Sequence, residues 1–84
     1  MKFPENTTLE ELSKHFKVEF CSQGPTKRGW EGHYLECPEC SDLVEKSGCH
    51  SCKCGNIFVD DGMLRIAIAN GKETEVKTYY AYKK

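Results

Sequence analysis

At 84 residues, 38% hydrophobic and 30% charged, the chain has the make-up of one soluble folded domain, small enough that its hydrophobic core is marginal and a staple is expected. No apolar run approaches the ~20 residues of a membrane span. A formal charge of −1 and a pI near 6.3 lack the cationic excess of a non-specific nucleic-acid binder.

Taken from the N-terminus, Met1 to Asn6 carry no apolar segment, so no secretory signal is expected. Six cysteines without such a signal point to a cytoplasmic protein, where thiols bind metal or stay free. Residues 8–17 read as a short amphipathic helix. Thr8 with Glu11 has capping-box spacing, and Thr7 with Glu10 is an equal alternative. Leu9, Leu12 and Phe16 then share one face. So short a helix is not stable alone in water, and its apolar face must pack on the sheet downstream. Thr8 to Phe16 also resembles the first helix of a helix-turn-helix domain. Such a domain needs a recognition helix next, but Val18-Glu19-Phe20 reads as extended and residues 24–29 as loop. The DNA-reading half is absent.

A polar loop covers residues 24–32, interrupted by Trp30, and His33 to Glu36 form a short strand leading into Cys37. After Gly55 the β signal strengthens. Ile57 and Val59 alternate with Asn56 and Phe58, and Asp61-Gly62 marks a tight hairpin turn. That turn sets Val59 opposite Leu64 and Ile57 opposite Ile66. Asn70-Gly71 marks a second hairpin. A two-residue turn there would oppose Ile68 to Glu73, whereas the loop Asn70-Gly71-Lys72 opposes Ile68 to Thr74 and Ile66 to Val76. Because a one-residue slip turns every side chain to the other face, the longer loop is preferred. The predicted fold is α+β, an antiparallel β meander over residues 55–82 with one short N-terminal helix, all within one domain of residues 1–84. In that meander 73–82 is an edge strand able to pair with a second copy.

The chemistry lies in the cysteines. Zinc takes four soft ligands in a tetrahedron. Cys37-Pro38-Glu39-Cys40 is a knuckle whose two thiolates can converge on one point, with Pro38 fixing φ in the turn. Cys52 and Cys54, two apart on an extended strand, point to one face, and Gly55 lets the backbone turn away. Cys37, Cys40, Cys52 and Cys54 are therefore the expected ligands of a structural Zn2+. Cys49, in a second Cys-x-x-Cys with Cys52, is the alternative fourth ligand, and iron is an alternative ion. A left-over Cys49 would be a small buried residue or an oxidation-sensitive thiol, and Cys21 reads as a small core residue. No paired carboxylates, no Ser/His/Asp set and no phosphate loop are present, and His15, His33 and His50 have no recognisable partner spacing. A closed four-cysteine site has no open position for substrate, so no enzyme is expected.

Cys37-x-x-Cys40, then Cys52-Lys53-Cys54-Gly55-Asn56-Ile57-Phe58-Val59-Asp60 and Leu64-Arg65, resembles small zinc-ribbon-like proteins of bacteriophages and bacteria. These carry a Cys-x-Cys-Gly element running into an apolar strand, then Val-Asp-Gly-Gly and a Leu-Arg pair. The resemblance covers about a third of the chain, implies a zinc-ribbon-like fold and supports Cys52 with Cys54 as the second ligand pair. The chain departs from it at Asp61, where a glycine is usual, and at Gly48-Cys49-His50, where a His-Asp-Phe-like segment is usual. That family is functionally uncharacterised.

Two functional expectations follow. The first is a non-enzymatic accessory protein acting through protein–protein interaction and, if the phage resemblance is meaningful, directed at host machinery. Trp30 in its polar loop and Tyr79 on the outward strand face are its anchors, while Tyr80 packs beneath the helix. Trp30 has an equal alternative as a cap on the core. The second is a nucleic-acid-binding or transcription-associated ribbon using Lys27, Arg28, Trp30, Lys77, Tyr79, Lys83 and Lys84. The net charge and the acidic Glu36, Glu39, Asp42 and Glu45 around the knuckle disfavour it, so a protein partner is preferred.

Overall fold

A computed structural model describes residues 3–27, 29–60, 65–69 and 71–84, and these form an α+β architecture of antiparallel strands with one short helix. In chain order the elements are β1 (Asn6–Thr8), α1 (Leu9–His15), β2 (Phe16–Gln23), β3 (Tyr34–Glu36), β4 (Asp42–Glu45), β5 (Cys49–Ser51), β6 (Ile57–Asp60), β7 (Arg65–Ile68), a 3-10 turn (Glu73–Glu75) and β8 (Lys77–Lys83). The larger sheet has the order β1-β4-β3-β8-β2 and the smaller one β5-β6-β7. No helix among the described residues is long and apolar enough to cross a membrane.

Of the two capping registers, Thr8 is the one used: its hydroxyl accepts from the Glu11 N–H at 3.2 Å. The helix stops two residues earlier than its periodicity suggests. Phe16 is already extended, with φ −135° and ψ 157°, and starts β2. The apolar face packs as expected. Leu12 and Phe16 are buried with Tyr34, Leu43, Tyr79 and Ala81, bordered by Phe3, Leu9 and Val18. A second core lies between the sheets, where Leu35, Cys37, Val44, Cys52, Ile57, Val59 and Val76 are buried, with Trp30, Cys40, Ile66 and Ile68 packed around them.

The C-terminal meander is not what forms. The Asp61-Gly62 turn and Leu64 lie outside the described residues, but the observed register pairs Val59 with Ile66 and Ile57 with Ile68. The connection is thus two residues longer than a two-residue turn. An even shift preserves strand parity, so Ile57, Val59, Ile66 and Ile68 still share the inward face. Among the described residues the second hairpin does not form. Asn70 lies outside the described residues, Glu73–Glu75 form a 3-10 turn, and β8 pairs with β2 and β3 in the other sheet. The four residues of β7 offer a short ladder, whereas β2 pairs with β8 from Lys77 to Lys83. Residues 73–82 are consequently not an edge strand; β1 and β2 form the edges of the larger sheet.

This pairing also exchanges the two tyrosines. Tyr79 is buried beneath α1, while Tyr80 is half-buried on the opposite face, stacked on Tyr82 with ring centroids 6.1 Å apart and edge-on to His33. Close approach of the chain ahead of β3 to β8 needs Gly32. Its φ is +91°, and a Cβ there would meet the Tyr79 carbonyl oxygen at 3.0 Å.

In urea unfolding of the reduced protein, Leu12→Ala is expected to cost about 2–5 kcal/mol, since it opens a cavity under α1. Thr8→Ala, which removes the cap, should cost roughly 1 kcal/mol, and the exposed Lys14→Ala less than about 0.5 kcal/mol.

Candidate metal centre

Two turns of matching form build the site. The first joins β3 to β4: Cys37 N–H donates to the Asp42 carbonyl at 3.0 Å, and Ser41 N–H donates to the Cys37 carbonyl at 2.9 Å. The second joins β5 to β6: Cys52 N–H donates to the Ile57 carbonyl at 3.0 Å, and Gly55 N–H donates to the Cys52 carbonyl at 3.0 Å. In each, the residue after the second cysteine is left-handed. Gly55, at φ +78°, does this without steric cost, whereas Ser41, at φ +61°, does it against the usual preference of an L-residue.

The sulfurs of Cys37, Cys40, Cys52 and Cys54 all lie within 4.8 Å of one another and could hold a metal ion. Cys54 Sγ is 3.6 Å from both Cys37 Sγ and Cys52 Sγ. A disulfide would bring two sulfurs to about 2.05 Å, whereas four sulfurs about 2.3 Å from a central ion are separated by roughly 3.8 Å. The spacing suits a shared ion, and all four cysteines are free. Hydrogen-bond donors already point at these sulfurs, among them Glu39 N–H to Cys37 at 3.4 Å, Asn56 Nδ2 to Cys37 at 3.6 Å, and Ile57 N–H to Cys52 at 3.2 Å. Such bonds favour thiolate over thiol.

The electrostatics of the four are uneven. Burial alone would push the Cys37 thiol up, but the backbone N–H groups of Cys40 and Glu39, with the Asn56 amide and Cys54, bring it down to about 7. At Cys54 the backbone N–H of Asn56 favours the thiolate. Desolvation and the neighbouring sulfurs of Cys52, Cys37 and Cys40 outweigh it and push the thiol up to about 12. Four thiolates cannot crowd together without a cation among them.

Cys49 lies outside this group, exposed on β5 opposite Asp60, which overturns the small buried residue, one of its two expected roles. Cys52 and Cys54 sit on a turn instead of an extended strand, and the turn brings both sulfurs to the Cys37 side. Cys21 is half-buried at the bulge between Phe20 and Ser22 instead of in either core. Trp30 packs partly buried against the inter-sheet core, and its carbonyl accepts from Lys46 Nζ at 2.8 Å. Lys27 is exposed, and Arg28 lies outside the described residues. Tyr79 presents no outward ring: it is 8% exposed, with its hydroxyl donating to Glu36 at 3.4 Å. Asn56 and Ser41 carry roles that their positions alone did not signal. The asparagine follows the Cys-x-Cys-Gly element, where its buried amide can reach the sulfur of the other turn. No family model, curated protein or solved structure matches the chain.

In a competitive metal titration, Asn56→Ala should weaken binding by about 10–100-fold through loss of its bond to Cys37, while Cys49→Ser leaves affinity unchanged.

Proposed function

We propose that the chain is a non-enzymatic, zinc-stapled module that acts by binding another protein. The observation that carries the metal half is the convergence of four thiol sulfurs from two separate turns. Four sulfur ligands would complete a tetrahedral shell and leave no position for a substrate, the hallmark of a structural zinc site. Two hairpins, β3–β4 and β5–β6, each carrying a cysteine turn, support a zinc-ribbon-like reading. Zinc would tie one sheet to the other, with Cys37 and Cys40 holding it from the larger and Cys52 and Cys54 from the smaller. Iron accepts the same donors, and elemental analysis distinguishes the two.

The partner half rests on the surface. Phe20, Phe58 and Tyr82 are large and exposed, at 58%, 43% and 43%. Tyr82 belongs to the stacked group with Tyr80 and His33, beside the opposed charges of Lys17 and Glu19. Aromatic groups with mixed charge at their rim suit a protein interface better than a polyanion, in keeping with a net charge of −1.

Freshly purified, reduced protein should contain one zinc per chain. Chelation, or Cys37→Ser or Cys54→Ser, should abolish near-UV circular dichroism, while Cys21→Ser should be mild. Because each ligand binds as a thiolate, zinc should be released as the pH falls, followed with a colorimetric zinc indicator. A well-folded protein without stoichiometric metal would overturn the metal reading. Capture of a protein partner should survive nuclease and rise in salt, whereas loss on nuclease treatment would favour the nucleic-acid alternative.

A further inference from the structure

β2 lies at the end of the larger sheet, paired with β8 on one side and, among the described residues, with no strand on the other. Its backbone direction can be read from β8. Ala81 N–H donates to His33 Nδ1 at 3.1 Å and the Tyr79 carbonyl accepts from His33 N–H at 2.7 Å, so both residues direct their polar groups away from β2. Their cross-strand neighbours are Val18 and Phe20. In an antiparallel ladder such residues turn their own N–H and C=O away from the shared side, here toward the open edge. By the same alternation the Phe16 carbonyl faces outward, while its N–H bonds the Leu12 carbonyl as the end of α1.

The usable part of this edge is short. It is bounded by the helix ending at His15 and by the bulge after Phe20, leaving Phe16 to Phe20, whose midpoint is Val18. Charges on an edge strand ordinarily repel a second edge. Here they complement themselves. Two copies of β2 paired antiparallel about Val18 set Lys17 opposite Glu19 and Glu19 opposite Lys17. Centring on Lys17 or Glu19 would oppose like charges, and centring on Phe20 would run through the bulge. A two-fold axis between residues would oppose outward groups to inward ones, which the ladder does not allow. On the other face the same register sets Phe20, 58% exposed, beside Phe16 of the second copy, next to the apolar surface of α1.

We propose that the open edge of β2 is a homodimer interface, on which a second copy of this chain pairs β2 with β2 about Val18. Outward backbone groups at Phe16, Val18 and Phe20 supply about four inter-strand hydrogen bonds. Lys17 and Glu19, now 3.4 Å apart within one strand, exchange that contact for two pairs across the axis. The two larger sheets become one continuous sheet with both helices on the same face.

The test is the mass of the full, metal-loaded chain by sedimentation equilibrium. Wild type is expected to be a dimer that dissociates on dilution. Lys17→Glu and Glu19→Lys should each be folded monomers, because each opposes like charges twice. Mixed in equal amounts, the two variants should associate as a heterodimer, which unfolded chains could not do. Val18→Pro removes an outward N–H without touching the β8 ladder, and should also be a folded monomer. Wild type that stays monomeric at its highest soluble concentration would overturn the proposal. So would charge variants that keep the wild-type dimer, or that fail to associate when mixed.

Discussion

Four sulfurs from two hairpins meet within 4.8 Å, and the relation between the two sheets depends on that meeting. Cys37 and Cys40 belong to the turn between β3 and β4 of the larger sheet, Cys52 and Cys54 to the turn between β5 and β6 of the smaller. A zinc ion bound there would contribute an apparent ~10–16 kcal/mol at neutral pH, against a net stability of about 5–15 kcal/mol for a typical domain. Lesser ties run alongside. Asn56 reaches across to Cys37, Asn6 Nδ2 donates to the Ser51 carbonyl at 2.6 Å, and the apolar cluster around Ile57 and Val76 fills the gap.

The larger sheet is covered on both faces at its centre, which explains its unusual run of burial. Tyr34 and Leu35 are neighbours in β3 and point to opposite faces, yet both are fully buried. Tyr34 lies beneath α1 and Leu35 beneath the smaller sheet. In β8, Thr78 and Tyr79 repeat the arrangement, with Ser22 and Thr78 joined through their hydroxyls at 3.0 Å. Toward the far end of β8 the smaller sheet no longer reaches, and the rings of Tyr80, Tyr82 and His33 cover one another instead. The surface available to a partner is therefore what two small layers fail to cover on a longer sheet.

Local spacing in the chain was enough to read the helix face of Leu9, Leu12 and Phe16, the cap at Thr8 as one of two registers, the strand at Ile57 and Val59, and the grouping of four cysteines. Each depends on residues a few positions apart, whose relative directions follow from a period of 3.6 or 2 or from turn chemistry. The choice between Cys49 and Cys54 was nearly legible, because Gly55 supplies the left-handed residue that closes the second turn. The donors to the sulfurs were not, since Asn56 acts on Cys37 across 19 residues.

Pairing partners lay beyond that reach. Parity states which residues share a face but not which strand lies alongside, and β8 could satisfy its alternation against either β7 or β2. The longer ladder and two available cores decided for β2 and β3, and with that choice came the burial of Tyr79, the half-buried place of Tyr80 on the opposite face and the open edge from Phe16 to Phe20. What short-range periodicity carries belongs to the chain as written. What long-range pairing carries exists once distant segments compete for the same hydrogen bonds, and that competition is settled in three dimensions.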